Sequence, residues 1–161
     1  MIVREAYSSE MGTVGELRLE AYRAQNLLAE NPGYADTLQV LGADGHGEVL
    51  VALEDARMLG TVVLEAWHPA SEVARAADEA EIRGLAVAPQ AQSHGVGRAL
   101  VRAAVDRATT RGARQVVLST RPAMKAAQRL YLAEGFTRIP DRDWSPVPGV
   151  ALLAFARLLT A

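Results

Sequence analysis

A glycine-containing loop is the part of the sequence whose residue types and spacing point most directly to chemistry. In "PQAQSHGVGRALV" (Pro89–Val101), Gln92, Gly95 and Gly97 form a Q-x-x-G-x-G pattern just before residues with helical periodicity. The first N–H groups of a helix have no intrahelical partner, and the helix dipole gives them partial positive charge. Because glycine lets a ligand approach the backbone closely, this pattern indicates a site for a phosphate or another anion.

Two common nucleotide-binding motifs do not fit this loop. The dinucleotide motif G-x-G-x-x-G requires a third glycine where this chain has Leu100. The mononucleotide loop requires lysine and then Ser or Thr after its last glycine, but Gly97 is followed by Arg98 and Ala99. A glycine-rich helix start without any ligand is the alternative, so the neighbouring sequence has to decide.

Several other types of catalytic site are excluded by composition and motif. The chain has no cysteine, which excludes a thiolate nucleophile, a disulfide and a cysteine-ligated zinc site. It contains neither H-E-x-x-H nor G-x-S-x-G, and the adjacent Ser93 and His94 point apart, so they cannot form a triad. We therefore expect no metal at the site and no serine hydrolase activity.

Length and composition predict one globular domain over residues 1–161. Of the 161 residues, 50% are hydrophobic and 22% are charged, a balance typical of a chain that can bury a core. The net charge of -2 provides no positive field for a polyanion, so we expect no nucleic-acid and no membrane partner. No stretch approaches the roughly 18 apolar residues of a membrane span and no signal-like run is seen, so we expect a cytoplasmic protein.

The elements that must position the loop follow from periodicity and turn residues. Strand, helix and strand from Ile82 to Thr120 form a right-handed crossover, which makes these two strands parallel in an otherwise largely antiparallel sheet. The segment "HPASEVARAADEAE" (68–81) has no apolar stripe and predicts a solvated loop or a short surface helix. The predicted strands cover residues 2–6, 48–53, 58–67, 82–87, 115–120, 136–139 and 150–158, and the predicted helices cover 10–25, 97–112 and 122–135, with Pro122 in the first turn of the last.

Two separate motifs resemble one enzyme family. "EIRGLAVAPQAQSHGVGRALV" (81–101) resembles the acyl-CoA-binding motif of the GNAT superfamily of N-acetyltransferases, and "AAQRLYLAEGF" (126–136) resembles the A-x-x-L-Y-x-x-x-G-F segment of the same superfamily. The order of elements is similar to the whole GNAT domain. The resemblance implies an α/β (α+β) fold with a mixed, mostly antiparallel sheet of about seven strands, a parallel and splayed pair at 82–87 and 115–120, and about four helices.

The resemblance also implies how acetyl-CoA, the acyl donor, would bind. Its pantetheine arm would lie between the splayed strands, against the backbone of Leu85, Ala86 and Val87. The family's loop is usually more basic than this one, and Arg98 could supply the missing charge, whereas His94 could simply be an exposed loop residue. The N–H groups that would hold the pyrophosphate belong to Gln92, Ser93, His94, Gly95, Val96, Gly97 and Arg98.

Two side chains match catalytic positions of the family. Glu81 matches a carboxylate that removes the proton of the amine, and Tyr131 matches a tyrosine that protonates the departing thiolate. A backbone N–H near Leu85 would stabilise the oxyanion. The alternatives are a surface glutamate in the acidic run "DEAE" and a core tyrosine. Where many members have asparagine, this chain has Met124, which removes a hydrogen-bonding side chain near the cofactor.

The acceptor site is the least patterned part of the sequence. Acidic residues near Glu81 could favour a cationic acceptor, although charge runs are usually solvated. The apolar closing strand "VALLAFARL" (150–158) could pack across a homodimer or be buried within one sheet. The candidate acceptor residues are Tyr22, Tyr34, Trp67 and Trp144, each of which could instead be ordinary packing, and the acidic residues are Glu72, Asp78, Glu79 and Glu81.

These features lead to one preferred function and one alternative. We expect an acetyl-CoA-dependent N-acetyltransferase that transfers the acetyl group directly to a primary amine of a small molecule or protein, within a ternary complex and without metal. Met124 and the weakly basic loop leave open an acyl-CoA-binding sensor or assembly module with little turnover. Release of free thiol in the presence of an amine distinguishes the two.

Overall fold

A mixed sheet of seven strands organises the molecule in the computed structural model, which describes residues 1–29 and 31–159. Within these residues the strand order is β1-β2-β3-β4-β5-β7-β6, with β4 and β5 parallel and the other neighbouring strands antiparallel. The strands are β1 (Ile2–Glu5), β2 (Gly47–Glu54), β3 (Arg57–Ala66), β4 (Glu79–Val87), β5 (Gln115–Thr120), β6 (Thr137–Arg138) and β7 (Leu153–Leu158). The helices are α1 (Met11–Ala24), α2 (Tyr34–Val40), α3 (Val96–Thr110) and α4 (Lys125–Ala133).

The β2-β3 hairpin carries apolar residues on both of its faces because both are covered. Leu50 and Val62 are fully buried in a cluster with Leu100 of α3. Val51 and Val63, which alternate with them along the strands, are buried in a second cluster that includes Val14 of α1 and Leu41. Successive strand residues point to opposite faces, so helices pack against the sheet from both sides.

The pair β4-β5 opens partway along its length. It is paired only from Glu79 to Glu81, opposite Gln115 to Val117. Beyond that point β4 contains a bulge, because Arg83 pairs with Val63 and Ala86 with Thr61, which leaves two β4 residues opposite one on β3. The first bulged residue is Gly84, with a φ of +62° that favours glycine. The splayed parallel pair implied by the family resemblance is therefore confirmed.

The predicted helix ends are confirmed at two glycines and wrong at one proline. Gly112 and Gly135 follow α3 and α4 with φ values of +81° and +90°, as expected of glycines that terminate helices. The helix α4 begins at Lys125 with Met124 as its N-cap, so Pro122 lies outside it. The helix therefore begins later in the chain than the proline suggested.

The apolar closing strand is partly buried within this sheet. β7 is hydrogen-bonded to β5 along one edge, and within the described residues β6 pairs with its other edge at Phe155 and Ala156. Ala154, Phe155 and Ala156 are buried, whereas Leu158 is 66% exposed. Burial thus accounts for the middle of the apolar pattern, and a homodimer contact stays a prediction.

Candidate active site

The opening between β4 and β5 forms a cavity of about 280 Å³. Its walls come from α1, the segment before and within α2, the bulge of β4, the end of β5, α4 and the segment before β7. Both predicted catalytic side chains line it. The side chains and backbone that line it include Tyr22, Tyr34, Glu72, Glu81, Arg83, Gly84, Leu85, Arg121, Met124, Tyr131, Trp144, Val150 and Leu152.

Glu81 is a buried carboxylate in the lining of the cavity. Only 1% of its surface is exposed, so it is not the surface glutamate that its acidic neighbours suggested. Its Oε1 accepts hydrogen bonds from the backbone N–H groups of Val73, at 2.9 Å, and Ala74, at 2.8 Å. Burial raises the pKa of Glu81, the two N–H groups oppose this, and the result is a pKa of about 7. Such a group exchanges a proton readily at neutral pH.

The segment before β4 supplies the two N–H groups and differs from its prediction. Residues 67–78 contain no helix, and the interior of the segment is not solvated, since Val73 and Ala74 are 2% and 6% exposed. These residues pack against Val117 of β5 and Ala154 of β7. The contacts come from distant strands, so local sequence periodicity carries no sign of them.

Tyr131 lies in α4 on the wall of the same cavity. It is 4% exposed, and its ring packs 5.7 Å from that of Phe136 and 6.4 Å from that of Phe155, measured between centroids. Burial raises the pKa of Tyr131, so its hydroxyl keeps its proton at neutral pH. Tyr131 therefore packs in the core and also lines the cavity, so the two alternatives considered for it do not exclude each other.

The backbone of β4 beyond Glu81 lies along the opening. Gly84 and Leu85 line the cavity, while Ala86 is buried and Val87 half-buried. In the part of the chain that the structure describes, this edge of β4 pairs with no strand on the β5 side. The Val87 carbonyl accepts a hydrogen bond of 3.0 Å from the Gln92 side chain, a link between the strand and the loop that the sequence did not reveal.

The glycine loop ends in an uncapped helix N-terminus. Gly95 is the N-cap of α3, with a φ of +79° and no side-chain cap, and Gln92, Ser93 and His94 before it are exposed. Gly97 has a different role, because a Cβ there would lie 3.1 Å from Leu130 Cδ2. Gly95 thus sets the turn, and Gly97 lets α3 approach α4.

Arg98 follows this loop and faces an acidic partner. Its Nε lies 3.8 Å from Oε2 of Glu134, whose Oε1 accepts a hydrogen bond of 2.7 Å from Arg102. Val96 is buried at the first turn of the same helix. Arg98 is 57% exposed along its side chain and can reach the exposed loop, so its assignment to the pyrophosphate stays a prediction.

The residues predicted for the acceptor divide into two groups. Tyr22 and Tyr34 line the cavity with their rings 6.1 Å apart, and Trp144 lines it too. Trp67, by contrast, is 38% exposed and does not line the cavity. Of the four acidic residues, Glu72 and Glu81 line it. Asp78 and Glu79 instead pair with Arg114, at 2.9 Å, and Arg142, at 2.8 Å.

Arg83 is a cavity residue that sequence reasoning missed. It lies two residues after Glu81 in β4 and so on the same face of the strand. Its Nη2 is 3.0 Å from Oε2 of Glu72, and its Nη1 is 3.5 Å from Oε2 of Glu65. The alternation Glu81–Arg83 inside the first motif was the signal that could have revealed it.

Comparison with known proteins gives a match to one family. The model of the Acetyltransferase (GNAT) family matches residues 14–136. Comparison with curated proteins gives no match. Among the described residues, no group of three or more potential metal ligands occurs, and no helix is long and apolar enough to cross a membrane.

Solved structures share the fold over almost the whole chain. A GNAT-family acetyltransferase from Staphylococcus aureus aligns with a TM-score of 0.78 at 17% identity, over 99% of each chain. The PaiA N-acetyltransferase from Thermoplasma acidophilum, solved with coenzyme A, aligns with a TM-score of 0.75 at 14% identity over 98% of each chain. A GCN5-related N-acetyltransferase from Kribbella flavida gives 0.71 at 23% identity, over 98% of this chain and 97% of the other.

Proposed function

The chain belongs to the GNAT acetyltransferase family, and we propose that it transfers the acetyl group of acetyl-CoA directly to a primary amine within a ternary complex. The observation that carries this proposal is a buried carboxylate with a pKa of about 7, Glu81, in the same cavity as the protonated hydroxyl of Tyr131. We also propose that residues 1–161 act as one acetyltransferase domain.

The residues present fit acetyl-CoA. The exposed loop at Gln92–Gly95 and the uncapped N-terminus of α3 suit the pyrophosphate. The open edge of β4 near Leu85 suits the amides of the pantetheine arm, which can hydrogen-bond to a strand edge as another strand would. Bound there, acetyl-CoA supplies a thioester carbon that an amine can attack.

Each proton of the transfer then has a residue to accept or donate it. With Oε1 of Glu81 held by two N–H groups, Oε2 takes the proton of the attacking amine. As the C–N bond forms and the C–S bond breaks, the Tyr131 hydroxyl donates its proton to the departing sulfur. A backbone N–H of the bulge near Leu85 donates to the oxygen on which negative charge develops.

The test is release of free thiol from acetyl-CoA in the presence of a panel of primary amines. We expect amine-dependent release, with rate plots that intersect when both substrates are varied, because both must be bound before transfer. Parallel plots would point instead to an acetylated enzyme. Tight binding of acetyl-CoA without amine-dependent release would support the sensor and overturn the proposal.

Tyr131→Phe tests the role of the acid. It should lower kcat by about a hundredfold, the lower end of the usual range for acid–base groups, while the Kd for acetyl-CoA changes little. Tyr7→Phe is the matched control, because it makes the same chemical change at an exposed tyrosine that does not line the cavity. Equal losses in the two variants would remove Tyr131 from the mechanism.

A further inference from the structure

The charged groups around the cavity do not form the acidic surface that a polyamine would need. Two carboxylates, Glu72 and Glu81, and two guanidinium groups, Arg83 and Arg121, line it within the described part of the chain. Arg121 also donates a hydrogen bond to the Leu27 carbonyl. The lining thus carries charges of both signs, and a cation with several charges gains less from it than from a uniformly acidic surface.

The guanidinium of Arg83 contacts two carboxylates, and one of its nitrogen atoms has no hydrogen-bond partner among the described residues. Glu65, which is 1% exposed, and Glu72 fix its guanidinium from two sides, at 3.5 Å and 3.0 Å. Its Nε is buried and has no hydrogen-bond partner among the described residues. A guanidinium has five N–H donors and binds carboxylates in a planar, two-point geometry. Buried donors without a partner call for a ligand or a water.

The spacing along β4 places this guanidinium close to the proposed base. Glu81 and Arg83 are two residues apart on one strand face, which separates their Cα atoms by about 7 Å. In an amino acid, a single carbon separates the amine from the carboxylate. One small molecule can therefore present its amine to Glu81 and its carboxylate to Arg83.

The size and walls of the cavity agree with a small acceptor. Its volume of about 280 Å³ lies at the lower limit of typical small-molecule sites. Tyr22, Tyr34 and Trp144 provide aromatic walls, which suit an apolar side chain. A long polyamine has no such apolar part and carries no carboxylate.

We propose that the acceptor is a small amino acid or similar aminocarboxylate with an apolar side chain, and that Arg83 binds its carboxylate. This inference rests on the proposed function. Arg83 thereby determines specificity for the acceptor, and Glu72 competes with the carboxylate for the same guanidinium.

The experiment compares acceptors that differ only in the carboxylate. Thiol release is measured with L-phenylalanine against phenethylamine and with L-leucine against isoamylamine, and spermidine represents polyamines. We expect kcat/KM to favour each amino acid by about tenfold to a hundredfold, the effect of a hydrogen bond to a charged group. Arg83→Gln should bring the ratio close to one, whereas Arg57→Gln, an exposed arginine outside the cavity, should keep the ratio.

A second variant, Glu72→Gln, tests the same inference without changing Arg83, in case Arg83→Gln does not fold. Glu72→Gln removes the competing carboxylate and should lower KM for the amino acids more than for the matched amines. A higher kcat/KM for the amines or spermidine, or a wild-type ratio in Arg83→Gln, would overturn the inference.

If the proposed acetyl transfer does not occur, the experiment gives no thiol release with any amine, rather than a changed preference between acceptors. If no amine stimulates thiol release, calorimetry with coenzyme A and L-phenylalanine tests Arg83 alone. Binding that weakens at least tenfold in Arg83→Gln would then support the carboxylate site without turnover. No binding of L-phenylalanine to the wild type would overturn it.

Discussion

Glu79 and Glu81 lie two residues apart in β4, and both are almost fully buried. Their surroundings nevertheless shift the pKa values of the two carboxyl groups in opposite directions. Glu79 accepts hydrogen bonds from Arg142, at 2.8 Å and 3.0 Å, from the Arg75 N–H and from Gln115. Burial raises its pKa, but these contacts outweigh burial and bring the pKa to about 2. Glu81 has only two N–H groups, and its pKa rises to about 7.

The difference shows what makes one buried carboxylate structural and the other reactive. A nearby cation and several donors stabilise the charged form of Glu79, so it stays ionised and holds β4 to the segment around Arg142. Glu81 has too few donors to offset its loss of hydration. It can therefore gain and lose a proton at neutral pH, as a base must.

The largest effect is expected from Glu81→Gln, which removes the base and keeps the shape. In the wild type, kcat/KM should rise with pH through about 7, because Glu81 accepts a proton only when ionised. In the variant it should be about a hundredfold to ten-thousandfold lower above that pH and should not show this rise. The measurement is a pH profile of thiol release.

Glu79→Gln is the matched control for that profile. It makes the same chemical change two residues away, so the rise near neutral pH should persist. Loss of the rise in both variants would show that the profile does not report Glu81.

The next effect is on stability, where the two carboxylates have opposite pH dependences. The contribution of Glu79 to the free energy of unfolding is fully present above its ordinary pKa of 4.5 and is lost as pH falls through about 2. The contribution of Glu81 to the same free energy is fully present below pH 4.5 and is lost as pH rises through about 7.

Denaturant unfolding of Glu79→Gln measures the first of these. Breaking a buried ion pair typically costs about 3–5 kcal/mol, so we expect a loss near 3 kcal/mol in unfolding free energy at neutral pH. The loss should shrink as pH falls toward about 2. A loss that is independent of pH would mean that the charge on Glu79 is not responsible.

The last effect, on titration, is expected when the cation is removed and both carboxylates are kept. In Arg142→Gln, the pKa of Glu79 should rise toward or above its ordinary value of 4.5, because burial is then less opposed. The pKa of Glu81 should shift less. Carbon-13 NMR of the carboxyl groups measures both values.

Arg75→Gln is the control for this titration. Arg75 donates to Glu79 only through its backbone N–H, which the substitution retains, so the Glu79 pKa should stay low. If both carboxylates shift equally in Arg142→Gln, the cation does not account for the difference between them.

Most of the fold was predictable from the sequence because its signals are local. The glycine loop, the compact β-type run at Ile82–Val87 and the segment ending in Gly135 each depend on neighbouring residues. The start of α4 was not predictable from Pro122, since proline fits the preceding turn as well as a first helical turn.

The candidate site was predictable only in part. Glu81 and Tyr131 were found by motif, and the structure brings them to one cavity. Their environment depends on contacts between distant segments, such as that of Val73 with Val117. The position of Trp67 outside the cavity and of Arg83 inside it follows from the same tertiary packing.

The two donors to Glu81 are main-chain groups, which has a consequence for how this sequence can vary. Any small apolar residue that fits the buried places of Val73 and Ala74 also provides an N–H, so these side chains can change without loss of the two hydrogen bonds. Proline is the exception, because it has no N–H to donate. The two donors to the base can thus persist in sequences that differ at both positions.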